Sequence, residues 1–125
     1  GVEKTVNNIV EGGCFCGSVR YSFRFDKYPS ANCYCSICRR TSGAPFVSWL
    51  AIPVNLFKYL NNKPKKIKSS AHGARFFCGE CGTPIACVLE EDPENINITI
   101  ASLDKPEEFE PKAKIYVDDM LDWLK

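Results

Sequence analysis

No stretch of this chain holds the roughly 18 consecutive apolar residues that a transmembrane helix needs, so no membrane-spanning helix is predicted. The opening segment, "GVEKTVNNIVEGG", lacks the apolar centre of a signal peptide. An excess of one charge is missing too: 16 Lys and Arg face 15 Asp and Glu, for a net +1. So balanced a chain has no strong field to offer nucleic acid or a membrane surface. There is no internal repeat and no low-complexity segment. No serine or cysteine is arranged as an activated nucleophile, and no residue stands out as a general base. These absences predict a soluble protein of the cytoplasm that binds neither nucleic acid nor membrane.

What is present fits one domain spanning residues 1–125. At this length roughly two-thirds of the unfolded chain's surface can be buried, and 45% apolar residues with 12% aromatics supply the core. "KPKKIK" (63–68) is basic and "EEDPENIN" (90–97) acidic, and both read as solvated loops near turns. Asn97-Ile98-Thr99 matches a glycosylation sequon, but it lies inside an alternating, strand-like run and is read as chance.

The hydrophobic period is mostly two. In "SVRYSFRF" (18–25), Val19, Tyr21, Phe23 and Phe25 alternate with polar residues, as in a half-buried strand. "PFVSWLAI" (45–52), "KKIKSS" (65–70), "ARFFC" (74–78), "PIACVLE" (84–90), "NINITIA" (95–101) and "KAKIYVD" (112–118) are further strand candidates. Only "SICRRTS" (36–42), "VNLFKYL" (54–60) and "DDMLDWLK" (118–125) read as a helical turn or two. Pro and Gly punctuate the joins. Many short strands with metal clusters on their turns imply a mostly β, zinc-braced domain.

Eight cysteines are present. They are grouped rather than spread: Cys14-Phe15-Cys16, then Cys33-Tyr34-Cys35-Ser36-Ile37-Cys38, then Cys78-Gly79-Glu80-Cys81, with Cys87 apart. Tight groups with long gaps favour thiolates on metal over a disulfide framework, and hence a reducing compartment. Seven clustered cysteines do not divide into two sets of four. In one division, Cys14, Cys16, Cys78 and Cys81 form a closed zinc site while Cys33, Cys35 and Cys38 form a second site one ligand short. In the other, Cys87 or His72 completes the second site. The first and last groups each end in Gly, at Gly17 and Gly82, which relaxes the φ restriction where backbone N–H groups turn toward the thiolates. Arg39, not Gly, follows Cys38, so the middle group is built differently. We therefore assign Cys14, Cys16, Cys78 and Cys81 to a structural zinc. An open position at the trio suits a soft exogenous ligand such as a thiol. Arg39 and Arg40 are placed to pair with carboxylates of an arriving molecule, and Trp49 to wall its pocket. Exposed arginines, a core Trp49 and a buried, inert Cys87 are the plainer alternatives.

The series "GGCFCGSVRY", "CYCSICRRTSG", "RFFCGECGTPI", "ASLDKPEEFEP" and "KIYVDDMLDWL" resembles, in this order, the glutathione-dependent formaldehyde-activating enzyme family, which includes centromere protein V-like proteins. The resemblance spans residues 10–124. It implies a β-tent fold shared with methionine sulfoxide reductase B. It implies two zinc ions per chain, one on Cys14, Cys16, Cys78 and Cys81, the other on Cys33, Cys35 and Cys38 and able to take the glutathione sulfur. It further implies a carbon–sulfur lyase acting on a thiol and a small aldehyde. A reductase reading is disfavoured, because no Cys follows Cys87 to act in a final strand.

The competing class is a binding module in which both zincs are structural and the surface meets another macromolecule. Metal analysis separates the two. Two zinc ions per chain, one changing coordination when glutathione is added, is the expected result; one zinc, or two indifferent to thiol, would favour the module.

Overall fold

The computed structural model describes residues 8–125; residues 1–7, on which part of the predicted domain and of the opening segment falls, lie outside the described residues. Among the described residues, ten strands and one α-helix follow one another: β1 (Ile9–Gly13), β2 (Arg20–Arg24), β3 (Ser30–Cys33), α1 (Ser36–Ser42), β4 (Val47–Pro53), β5 (Phe57–Tyr59), β6 (Lys65–Ser70), β7 (Gly73–Phe77), β8 (Pro84–Leu89), β9 (Asn95–Thr99) and β10 (Ala113–Ile115). The protein is a small, mostly β domain. No helix among the described residues is long and apolar enough to cross a membrane.

The strands form a three-stranded sheet, β1-β2-β5, and a seven-stranded sheet in the order β10-β3-β4-β9-β8-β7-β6. All pairs are antiparallel except β10 with β3. The period-two pattern of residues 18–25 faces the core: Val19, Tyr21 and Phe23 are at most 1% exposed. Phe25 lies beyond the last strand residue and keeps one edge in solvent, packing its ring on Phe109 at 5.9 Å. Ser22 is buried despite its polarity, because β2 is the central strand and its cross-strand neighbours Glu11 and Lys58 cover it.

Cross-strand partners share a face of a sheet, and neighbours along a strand take opposite faces. Leu50, Ile98 and Ala86 are successive partners on β4, β9 and β8, and all point into the main core with Val19, Tyr21, Phe23 and Ile85. One residue along, Ala51, Asn97, Cys87 and Arg75 are successive partners on β4, β9, β8 and β7 and take the other face. That second face is the floor of the site described below. The sequon residues thus belong to the sheet itself: Asn97 is half-buried and donates to the Cys87 carbonyl, and Thr99 is buried.

Three contacts tie the smaller sheet to the turn after β9. Gly12 bridges to Leu103, the Tyr21 hydroxyl lies 2.6 Å from Ser102 Oγ, and Arg20 reaches Asp104 with two hydrogen bonds of 2.6 and 2.9 Å. Gly12 is required there, since a Cβ at that position would fall 2.5 Å from the Tyr21 hydroxyl oxygen. The helical turn expected in "VNLFKYL" is limited to a 3-10 turn at Val54–Leu56, after which the chain extends into β5. Tertiary pairing wins: Phe57 and Tyr59 align with Phe23 and Tyr21, and the Tyr21 and Phe57 rings stack at 5.4 Å. At the far edge β6 presents Lys65, Lys66 and Lys68, charges that discourage pairing with another strand.

Ile98 sits fully buried between Leu50 and Ala86. Ile98→Ala is expected to lower unfolding free energy by about 2–5 kcal/mol, measured by urea denaturation.

Candidate metal centre

All eight cysteines are free thiols, so no disulfide competes for them. Seven of them meet in two groups.

The first group joins distant parts of the chain. Cys14 and Cys16 follow β1, and Cys78 and Cys81 lie on the turn between β7 and β8. Their four sulfurs lie within 4.8 Å of one another. Val19 N–H donates to Cys14 Sγ at 3.2 Å, and the N–H groups of Glu80 and Cys81 each donate to Cys78 Sγ at 3.4 Å. These donors exist because both turns fold back tightly: Gly17 N–H reaches the Cys14 carbonyl and Gly82 N–H the Cys78 carbonyl. The turns place Gly17 at φ 81° and Gly82 at φ 83°, a left-handed region that a Cβ makes costly. Cys81 Sγ lies 3.3 Å from the Thr83 hydroxyl, and that contact foremost draws its pKa down to about 5.

The second group is local. Cys33 ends β3, Cys35 is the N-cap of α1, and Cys38 lies in the helix's first turn. Their sulfurs also lie within 4.8 Å of one another. Cys38 N–H donates to Cys35 Sγ at 3.3 Å, so a thiol caps this helix where an oxygen usually would. The missing Gly is thereby explained: the chain leaves the C-x-x-C as a helix, not a reversing turn, and the left-handed Gly comes only at Gly43, where α1 ends.

Cys38 is almost fully buried and receives two side-chain donors, Trp49 Nε1–H and Arg75 Nη2–H, each at 3.4 Å. The Arg75 guanidinium carbon stands 5.5 Å from the centre of the Trp49 ring, a cation–π contact. Contact with Cys33 foremost, then the Arg75 and Trp49 donors, pull the Cys38 pKa down to about 5 against the opposing effect of burial. Cys33 is pushed up, first by its contact with Cys38 and then by burial.

No fourth His, Cys, Asp or Glu atom joins the trio among the described residues. Cys87 is buried in β8 on the same sheet face, and burial raises its pKa. His72 stands in the turn between β6 and β7, exposed, with Nδ1 3.2 Å from Glu90 Oε1. Beside the trio opens a cleft of about 470 Å³, lined among others by Cys33, Cys35, Trp49, Arg75, Cys87 and Tyr116. A smaller cavity of about 270 Å³ also borders Trp49 and Arg75, with Ile67, Phe76 and Pro84 in its wall.

Of the residues singled out from sequence, the structure brings Trp49 to the trio. Arg39 and Arg40 sit at the C-terminal part of α1, the first half-buried and the second exposed, and neither lines the cleft. Arg75 does, and the sequence reading missed it. Its signal was an arginine in the otherwise apolar strand "ARFFC", three residues before Cys78.

Soft sulfur donors with N–H groups aimed at them are the donor set of a thiolate metal site, so both clusters can hold metal ions and are compatible with zinc. The sequence pattern of the family described as glutathione-dependent formaldehyde-activating enzyme matches residues 9–119. A Halomonas elongata protein, provisionally named as such an enzyme, is 27% identical, the match covering 93% of this chain and 80% of that protein. A crystal structure of a Rhodobacter sphaeroides protein superposes with a TM-score of 0.68 at 18% identity, over 83% of this chain and 98% of that one, and so shares the fold. With the pattern covering nearly the whole chain, this protein belongs to the glutathione-dependent formaldehyde-activating enzyme family.

Proposed function

We propose that the chain binds a thiol such as glutathione at Cys33, Cys35 and Cys38 and adds its sulfur to a small carbonyl such as formaldehyde, a reaction of the carbon–sulfur lyase class. One observation carries this reading. Three cysteine sulfurs converge without a fourth protein ligand among the described residues, and two of the three, Cys33 and Cys35, line the cleft. Its volume of about 470 Å³ lies within the usual range for a small-molecule site.

Zinc, one ion on each cluster, fits both donor sets, and at the trio it would supply a lowered pKa to the arriving thiol. The protein's own residues do the rest. Cys33 and Cys35 present the cleft side of the trio, while Cys38 anchors it from beneath. Trp49 walls the cleft and keeps water from the buried sulfur. Arg39 and Arg40, outside the lining, are left to the part of a large thiol that projects beyond the cleft. The reaction balances without oxidant or reductant: the thiol gives up its proton, a carbon–sulfur bond forms, and the carbonyl's π pair moves to oxygen, which takes a proton. The four-cysteine cluster, pinning the end of β1 to the β7–β8 turn, is read as structural. Eight free thiols suit a reducing compartment such as the cytoplasm.

Exchange NMR on mixtures of glutathione and formaldehyde tests the reading. The protein is expected to accelerate formation of the hydroxymethyl thiol adduct above the spontaneous rate, and Cys35→Ser to abolish that acceleration while the protein stays folded. An undiminished rate in Cys35→Ser would overturn the assignment. Circular dichroism melts should show Cys78→Ser unfolded or aggregated beside a folded Cys35→Ser; equal damage in both would contradict the division between a structural and a working cluster.

A further inference from the structure

We propose that Arg75 is a positioning residue for the three-cysteine centre, holding Cys38 in place and supplying the positive charge that an incoming fourth thiolate requires. The inference rests on the reading above and extends it to a residue outside the cysteine motifs.

The starting point is a half-buried cation that pairs with no carboxylate among the described residues. Arg75 lies in β7 on the cleft face of the seven-stranded sheet, half-buried. Among the described residues it forms no salt bridge to Asp or Glu. Its hydrogen bond goes to Cys38 Sγ at 3.4 Å, and its Nε is buried with no partner. A guanidinium partly withdrawn from water favours a negative partner, and the group its Nη2 meets is the Cys38 sulfur. Trp49 fixes the arrangement, lying under the guanidinium at 5.5 Å while donating its own N–H to the same sulfur.

The two clusters differ in how their charge is met. At the four-cysteine cluster, the N–H groups of Val19, Glu80 and Cys81 point at sulfur. At the trio the backbone serves the outer two sulfurs, Cys38 N–H meeting Cys35 and Cys35 N–H meeting Cys33, while Cys38 Sγ takes its donors from the side chains of Trp49 and Arg75. Three thiolates on a divalent ion carry one net negative charge. A fourth thiolate arriving from solvent makes it two, in a site of low dielectric where that charge is costly. Amide dipoles suffice for a permanent set of ligands. A site whose fourth ligand comes and goes gains more from a whole positive charge already in place. Arg75 lines the same cleft as Cys33 and Cys35, so it stands near the path by which the ligand enters.

Cobalt(II)-substituted protein gives a readout independent of turnover, because a sulfur ligand adds a charge-transfer absorption band. Three probes are titrated: 2-mercaptoethanol, glutathione and imidazole. In Arg75→Gln both thiols are expected to bind at least about tenfold more weakly, as loss of a charge-assisted contact predicts, while imidazole, a neutral ligand, keeps its affinity and the absorption of the four-cysteine cluster is unchanged. Arg75→Lys, which keeps the charge, should restore most of the thiol affinity. Equal thiol affinity in wild type and Arg75→Gln overturns the proposal. So does weakening of glutathione alone, which would make Arg75 a grip on a substrate carboxylate. If Arg75→Gln does not fold, Arg75→Lys decides: thiol affinity within about tenfold of wild type supports the charge role, and complete loss refutes it. A wild-type protein whose spectrum responds to neither thiol removes the function proposed above, and this assignment falls with it.

Discussion

Sulfur crowding is the constraint from which the rest of this structure follows. Two groups of cysteine sulfurs, each gathered within 4.8 Å, repel one another as they ionise unless donors or a cation meet their charge. The chain answers in two ways. Around the four-cysteine cluster the backbone turns sharply enough to aim amides at sulfur, and glycines at φ 81° and 83° make those turns possible. Around the trio a helix start and a sheet face bring in Trp49 and Arg75.

The seven-stranded sheet serves both ends. One face carries Leu50, Ile98 and Ala86 into the core shared with the smaller sheet. The opposite face carries Ala51, Asn97, Cys87 and Arg75 as the floor of the cleft. Positions one residue apart on a strand thus divide stability from chemistry. The rigidity of a packed core is handed directly to the site, since the same strands hold both. The four-cysteine cluster adds the last restraint by tying the end of β1 to the β7–β8 turn.

Membership of the glutathione-dependent formaldehyde-activating enzyme family gives this asymmetry a chemical sense. A closed set of four soft ligands has no room for a substrate, whereas a set of three beside a cleft has. Thiol addition to an aldehyde needs a thiolate more than it needs an acid–base pair. The cleft wall carries Arg75, whose guanidinium meets Cys38, and at its rim the exposed His72, paired with Glu90.

Much of this was legible in residue order. Alternation in residues 18–25 and 95–101 showed those strands, because one buried face imposes period two on side chains. Cysteine spacing and the glycines after Cys16 and Cys81 showed the two clusters and their difference, because local turn geometry is written locally. What residue order could not reveal is anything set by register between distant strands. β5 is a strand only because β2 offers it Tyr21 and Phe23 to pair with. Arg39 and Arg40 adjoin the trio along the chain, yet the helix carries them off the cleft. Arg75, 37 positions from Cys38, reaches its sulfur because β7 and β8 place it on the face that Trp49 also occupies. Ligand identity is local chemistry and can be read from sequence; the charge that surrounds a ligand is assembled across the sheet and belongs to the tertiary structure.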